Sequence, residues 1–291
     1  MPLVCSRLFR VRHYECDLYK HVNNAVYLRY IQETALEAGS IAGFSPARCE
    51  ALGVRWWCIQ TDLEYLIPLH YDDRVEVKIW PVAYQAGILW QKVELQREPG
   101  GELAARAITG SAFQTIASGA ATEPPGEWMD TLFSEGGSVA AESPTQPAPF
   151  PPPPEGTFKM RRQVDWQDTN AGGELDHAML LTYLEECGRK VIAAHNWPME
   201  RMLAEGFAIL LRRNQVEYLQ PARYGDELEM ATYASNLKRA TATRHYLVRR
   251  LSDGALLARM HSLGVWVNLA TGLPIRVPPE LIKDFAPNIV E

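Results

Sequence analysis

Residue n and residue n+153 of this 291-residue chain match repeatedly without a gap. The pairs run from Val11/Val164 and Ala25/Ala178 through Leu28/Leu181, Tyr30/Tyr183, Glu33/Glu186 and Gly53/Gly206. They continue through Glu64/Glu217, Tyr65/Tyr218, Pro68/Pro221, Tyr71/Tyr224 and Asp73/Asp226 to Gly101/Gly254 and Arg106/Arg259. One offset held over that length means two copies of one domain. The copies predict domains at 1–133 and 157–291. Between them 134–156, SEGGSVAAESPTQPAPFPPPPEG, is a Gly/Ser/Pro-rich linker, flexible first and polyproline at its end.

Each copy reads as a short extended segment, a long helix and a run of strands. In the first copy V-R-H-Y-E-C-D alternates like a half-buried strand, L-Y-K-H breaks it, and Asn23 or Asn24 caps a helix. Val26, Tyr27, Tyr30, Ile31, Thr34 and Ala38 then form one apolar face, repeated as Met179, Leu180, Tyr183, Leu184, Cys187 and Val191. Strands are predicted at 55–66, 74–83, 88–97 and 103–115, and again at 207–219, 227–235, 241–251 and 256–268. Several antiparallel strands and one dominant helix make an α+β domain with the helix across a curved sheet.

With 47% hydrophobic and 22% charged residues and a net charge of -6, the chain has the composition of a soluble protein. It offers nucleic acid no basic face overall, contains no run long enough to span a membrane and begins without a signal-peptide core, so the expected compartment is the cytoplasm. Five cysteines without a C-x-x-C pair argue against a disulfide framework and a zinc site, and predict reduced, mostly packed thiols. No metal or cofactor is expected. Lys238, Arg239, Arg244, Arg249 and Arg250 fall on one predicted hairpin with no acid before Asp253. They read either as a solvated strand face or as a landing site for a phosphate-bearing carrier.

The string Asp17-Leu-Tyr-Lys-His21-Val-Asn23-Asn24-Ala-Val-Tyr27, followed by Glu33, resembles the D-x-x-x-H-V-N-N-x-x-Y signature of the 4-hydroxybenzoyl-CoA thioesterase branch of the hotdog superfamily. The second copy's VDWQDTNAGGELDHAMLLTYLEECGR is similar to the Y-x-D-T-D-A-G-G-x-x-x-H-A-x-Y-L stretch of small bacterial acyl-CoA thioesterases in that branch. The closing TGLPIRVPPEL resembles the tail that often ends such a domain. The resemblance implies two tandem hotdog domains paired as an intrachain pseudo-dimer, as in plant and bacterial acyl-carrier-protein thioesterases, with active sites at their interface. The substrate it implies is an acyl thioester of CoA or of acyl-carrier protein, and a further homo-oligomer stays open.

The family's catalytic carboxylate carries over to Asp17, and its counterpart in the second copy is Asn170. An amide can neither take a proton from water nor act as a carboxylate nucleophile, so one site is complete and the other impaired. Asp17 would serve as general base or nucleophile, with backbone amides near Asn24 and Ala25 holding the oxyanion. His21 either orients the carboxylate or water or bonds to the loop backbone. Glu33 either supports catalysis or makes a structural buried hydrogen bond. Tyr27 reads as a pocket wall. Asn170 and His177 read as binding acyl group or water, and Lys238 and Arg239 as carrier contacts. Trp56, Trp57, Trp80 and Trp90 are core or acyl-pocket lining. The competing reading is a non-catalytic acyl-thioester binding protein; a hydratase lacks its paired Asp and His in both copies.

Overall fold

A computed structural model describes residues 2–133 and 148–290, which fall into two compact units meeting in sequence at Gln146 and Pro147. The first half of the predicted linker, 134–147, lies outside the described residues.

The first unit runs β1 (Cys5–Arg10), α1 (Asn24–Ile41), α2 (Pro46–Ala51), β2 (Val54–Tyr65), β3 (Arg74–Gln85), β4 (Ile88–Glu98), β5 (Glu102–Thr115) and α3 (Gly126–Phe133). Its strands are ordered β1-β3-β4-β5-β2, each pairing antiparallel. The second unit repeats this with β6 (Phe158–Gln163), α4 (His177–Ala194), α5 (Met199–Ala204), β7 (Phe207–Tyr218), β8 (Glu227–Ser235), β9 (Thr241–Arg250), β10 (Leu256–Asn268) and α6 (Pro279–Phe285), ordered β6-β8-β9-β10-β7. The predicted long strands appear within about three residues of their expected ends.

The strand expected at 11–17 is displaced. Pairing with β3 ends at Arg10, and His13–Glu15 forms a 3-10 turn instead. The cause is Glu15, whose carboxylate accepts from the Arg12 N–H at 2.7 Å and so competes with a strand ladder for the backbone.

The long helices begin and end by the same devices. Asn23 is extended at its cap and accepts from the Ala25 N–H; Asp176 accepts from Ala178 and Met179. Past their ends Gly43 and Asn196 occupy equivalent left-handed positions, φ +92° and +65°. The predicted face of α1 is buried against Val75, Val77, Ile79, Val93, Leu95 and Ala107 on one side of the sheet. Burying each large apolar side chain there contributes roughly 1.5–3 kcal/mol. On α4 the face is as predicted except that Met179 is only half-buried, while Leu181 is fully enclosed. Helix α4 and the sheet approach closely at Gly188, where an added Cβ would stand 2.6 Å from the Tyr246 hydroxyl. The equivalent pair in the first unit is Ala35 and Val93, so a larger helix residue meets a smaller strand residue.

Trp57 is buried, with the Arg55 guanidinium 4.6 Å from its ring, and Trp56 packs with Phe44 and Phe113. Trp90 lies over Gly110, where a Cβ would come within 2.5 Å of the ring, and Trp80 is half-buried. Cys5, Cys49 and Cys187 are buried, and all five cysteines stand unpaired among the described residues.

Candidate functional site

The chain approaches α1 through a tight loop closed by the Cys16↔Val22 bridge. Inside it, the Asp17 N–H donates to the His21 carbonyl at 2.8 Å. Asp17 Oδ1 accepts from the N–H groups of Tyr19 at 2.8 Å and His21 at 3.3 Å. This is an Asx turn, and it fixes the carboxylate just ahead of the helix. The second unit reproduces it atom for atom. The Asn170 N–H donates to the Glu174 carbonyl at 2.8 Å, and Asn170 Oδ1 accepts from Gly172 at 2.9 Å and Glu174 at 3.3 Å. One oxygen makes the turn in both copies, so aspartate and asparagine differ only at the other atom.

A buried acid anchors each loop. Glu15 accepts from the Tyr30 hydroxyl at 2.7 Å and Asp168 accepts from Tyr183, while the carbonyls of the same two acids take the cap amides of Asn23 and Asp176. Burial and the neighbouring acid raise the Tyr183 hydroxyl to about 12. Sequence reasoning missed Glu15 and Asp168 as anchors. Their signal was an acid at the shared offset whose identity changes between copies, beside a tyrosine whose identity does not.

The predicted residues are not all brought to this loop. His21 bonds to Asp17 through its backbone, and its half-buried ring meets His70 edge-on at 5.2 Å. Its pKa is lowered, by burial first, with Asp17 opposing and His70 adding to the effect. Asn24 opens α1 and its carbonyl accepts from the Tyr65 hydroxyl at 3.3 Å. The Ala25 N–H, expected as one of two oxyanion donors, is already taken by the Asn23 side chain at 2.9 Å. Tyr27 is buried; its hydroxyl accepts from Leu69 N–H at 3.1 Å and its ring meets Tyr65 edge-on. Burial raises its pKa, and the bond from Leu69 makes it a latch behind the loop.

Glu33 lies away from the loop. Nine residues beyond Asn24 on a helix rising about 1.5 Å per residue, it is exposed and paired with Arg7 of β1 at 3.2 Å. The structural alternative of a buried hydrogen bond is corrected to a surface ion pair, worth about 0–1 kcal/mol. Its counterpart Glu186, half-buried, pairs with Arg162 at 2.8 Å and Lys190 at 3.0 Å.

In the second unit the His177 ring stacks on Tyr218 at 3.8 Å and 12°. Tyr65 and Tyr218 thus sit beside both helix starts, a place their identity at one offset could have suggested. The basic hairpin does not converge. Lys238 and Arg239 are exposed at the β8–β9 turn, Arg249 and Arg250 stand at the far end of β9, and Arg250 pairs with Asp253 and Asp226. Arg244 donates to Asn288 and is drawn below its usual pKa by burial. Among the described residues no group of three or more His, Cys, Asp or Glu is placed to hold a metal ion. No helix among them is long and apolar enough to cross a membrane.

The family model of the thioesterase-like superfamily matches residues 11–153 and 164–285, one match per unit. The chain belongs to the thioesterase-like superfamily. Each unit is a hotdog domain, so this thioesterase-superfamily chain carries two in tandem. A curated relative is the acyl-CoA thioester hydrolase YbgC of Escherichia coli, 27% identical over 130 residues, covering 44% of this chain and 95% of that protein. Two solved structures share the fold over most of the chain. The 12:0-ACP thioesterase of Umbellularia californica matches with a TM-score of 0.72 at 15% identity, covering 90% of this chain and 93% of that one. An acyl-ACP thioesterase of Bacteroides thetaiotaomicron matches with a TM-score of 0.68 at 14% identity, covering 90% and 97%.

Proposed function

We propose that this superfamily member hydrolyses an acyl thioester of CoA or of an acyl-carrier protein, with Asp17 as general base on water or as nucleophile. In the base route the carboxylate takes a proton from water as its oxygen adds to the carbonyl carbon. The Asn24 N–H donates to the developing oxyanion, the C–S bond breaks, and the thiolate leaves to be protonated as free thiol. The observation that carries this reading is the Asx turn shared by Asp17 and Asn170. The turn needs only Oδ1, so the second carboxylate oxygen of Asp17 is available for chemistry that the fold does not require. Membership of the thioesterase-like superfamily and the name of the Escherichia coli relative support the reaction class.

The second loop, with Asn170 in place of the acid, is assigned to binding, His177 and its Tyr218 platform forming a wall there. Lys238 and Arg239 are assigned to the carrier's phosphates or acids. Lys238→Glu with Arg239→Glu is expected to raise KM for the carrier-borne substrate about tenfold while leaving hydrolysis of a truncated thioester without phosphate unchanged. The test of function is thiol release from short, long and aromatic acyl-CoAs, then from acyl-carrier protein. Tight acyl binding with no release from either carrier establishes the non-catalytic binder, the reading that Asn170 favours.

A further inference from the structure

The bridge beside each Asx turn is built from different chemistry in the two units. In the first, His21 pairs with His70, from the loop after β2; in the second, the equivalent residues Glu174 and Arg223 pair. The two imidazoles meet edge-on at 5.2 Å, whereas Glu174, buried, has its Oε1 4.0 Å from Arg223 Nη2. Thus the loop with the carboxylate has two titratable rings, and the loop with the amide has a permanent ion pair.

This difference follows from what each loop holds. His21 and Glu174 both donate their backbone N–H to the turn-forming Oδ1, which places their side chains on the residue following the same closed turn. A carboxylate at position 21 would set a second negative charge close to Asp17. Asn170 imposes no such conflict, so a glutamate with an arginine partner is tolerated there. A neutral imidazole fills the place without repelling Asp17, provided that a partner holds its ring.

We propose that His70 is a positioning residue for the Asp17 centre: through the bridge and the edge-on ring contact it holds the His21 imidazole beside the loop that carries Asp17. Within the unit, the titratable groups bearing on His21 are Asp17 from its own loop and His70 from the opposing one. The His70 backbone N–H donates to the Asp73 carboxylate at 2.8 Å, and the same carboxylate lies 3.8 Å from the ring Nδ1. Asp17 favours a charged His21, while burial and His70 disfavour it, in the direction that keeps the ring neutral.

The inference rests on the functional reading of Asp17 given above, and the experiment separates the two. His70→Phe keeps an aromatic edge against His21 and removes the second imidazole. NMR titration of His21 is expected to move to higher pH, because His70 is one of the groups that hold it down. The acid limb of kcat/KM is expected to move the same way, with the thermal midpoint little changed. An unmoved His21 midpoint overturns the inference, as does a moved midpoint with an unmoved acid limb. The double variant His21→Glu/His70→Arg installs the second unit's ion pair and guards against misfolding of the single change. It is expected to fold and to lose at least tenfold in kcat/KM with the imidazole limb gone. Full activity with the original pH profile would show that the pair is only structural. Wild-type protein that releases no thiol from any thioester overturns the functional reading, whereas an active enzyme with an unmoved limb overturns this inference alone.

Discussion

The Tyr30 hydroxyl donates to the buried carboxylate of Glu15 at 2.7 Å, and Tyr183 repeats the bond to Asp168 one domain later. The bond ties the loop carrying Asp17, or Asn170, to the first turns of the long helix, so loop position and helix packing are one structural fact. Tyr30→Phe leaves a buried acid short of one donor and is expected to cost about 1–3 kcal/mol. Denaturant unfolding checks the cost. A larger loss in turnover than the lowered folded fraction explains would mark displacement of the loop.

Gly188 and Tyr246 form a size-matched pair across the helix–sheet contact. Gly188→Ala is predicted to destabilise by about 1–3 kcal/mol through the clash with the tyrosine hydroxyl. Tyr246→Val in the same chain, which installs the first domain's pairing, is predicted to recover part of that loss. A double-mutant cycle of thermal or denaturant midpoints measures the coupling. Additive losses would show that the two residues do not meet as described.

The end of the linker is fastened to the second sheet on the face turned away from α4. Phe150 packs on His261 at 3.9 Å and near His245 at 5.5 Å, with the Arg259 guanidinium 5.2 Å from its ring, and Tyr233 donates to the Pro151 carbonyl at 2.6 Å. Beneath it His245 bonds Ser235 at 2.7 Å and His261 at 2.9 Å, and burial lowers its pKa to about 4. A histidine held neutral contributes stability that is complete above its unfolded pKa of about 6.5 and is lost as pH falls from there towards about 4. The wild-type midpoint should therefore fall across that window. Phe150→Ala, by admitting water, should raise the His245 pKa and flatten the dependence. An unchanged His245 titration by NMR would contradict this.

Much of the architecture was legible because the repeat fixed two domains, and because alternation over eight residues, as in β3 and β4, is a clear strand signal. The short first strands were missed. In β1, CSRLFR, the exposed face carries Leu8 and the less exposed face carries Arg7, which blurs a brief pattern, while the adjoining V-R-H-Y-E-C-D offers a competing alternation that the Glu15 side chain turns into a 3-10 loop. The position of Asp17 before a helix cap was readable, but not its Asx turn, since that depends on which backbone amides fold back on Oδ1. Glu33 was drawn to the site by its nearness to Tyr30 in sequence, although its partner, Arg7, comes from a strand 26 residues away. The spread of the basic hairpin was not legible for a related reason: cations close along a hairpin's sequence, such as Arg239 and Arg250, lie at opposite ends of β9 once the strand is extended.

The most direct test is thiol release from acyl-CoA and acyl-carrier-protein substrates by the wild type and by Asp17→Asn, with thermal unfolding measured on both. Because Asn170 makes the same Asx turn with its amide oxygen, the variant should fold with an unchanged midpoint. Loss of the carboxylate should lower kcat by about 100-fold or more. An Asp17→Asn protein that folds normally and hydrolyses thioesters at the wild-type rate would contradict the account.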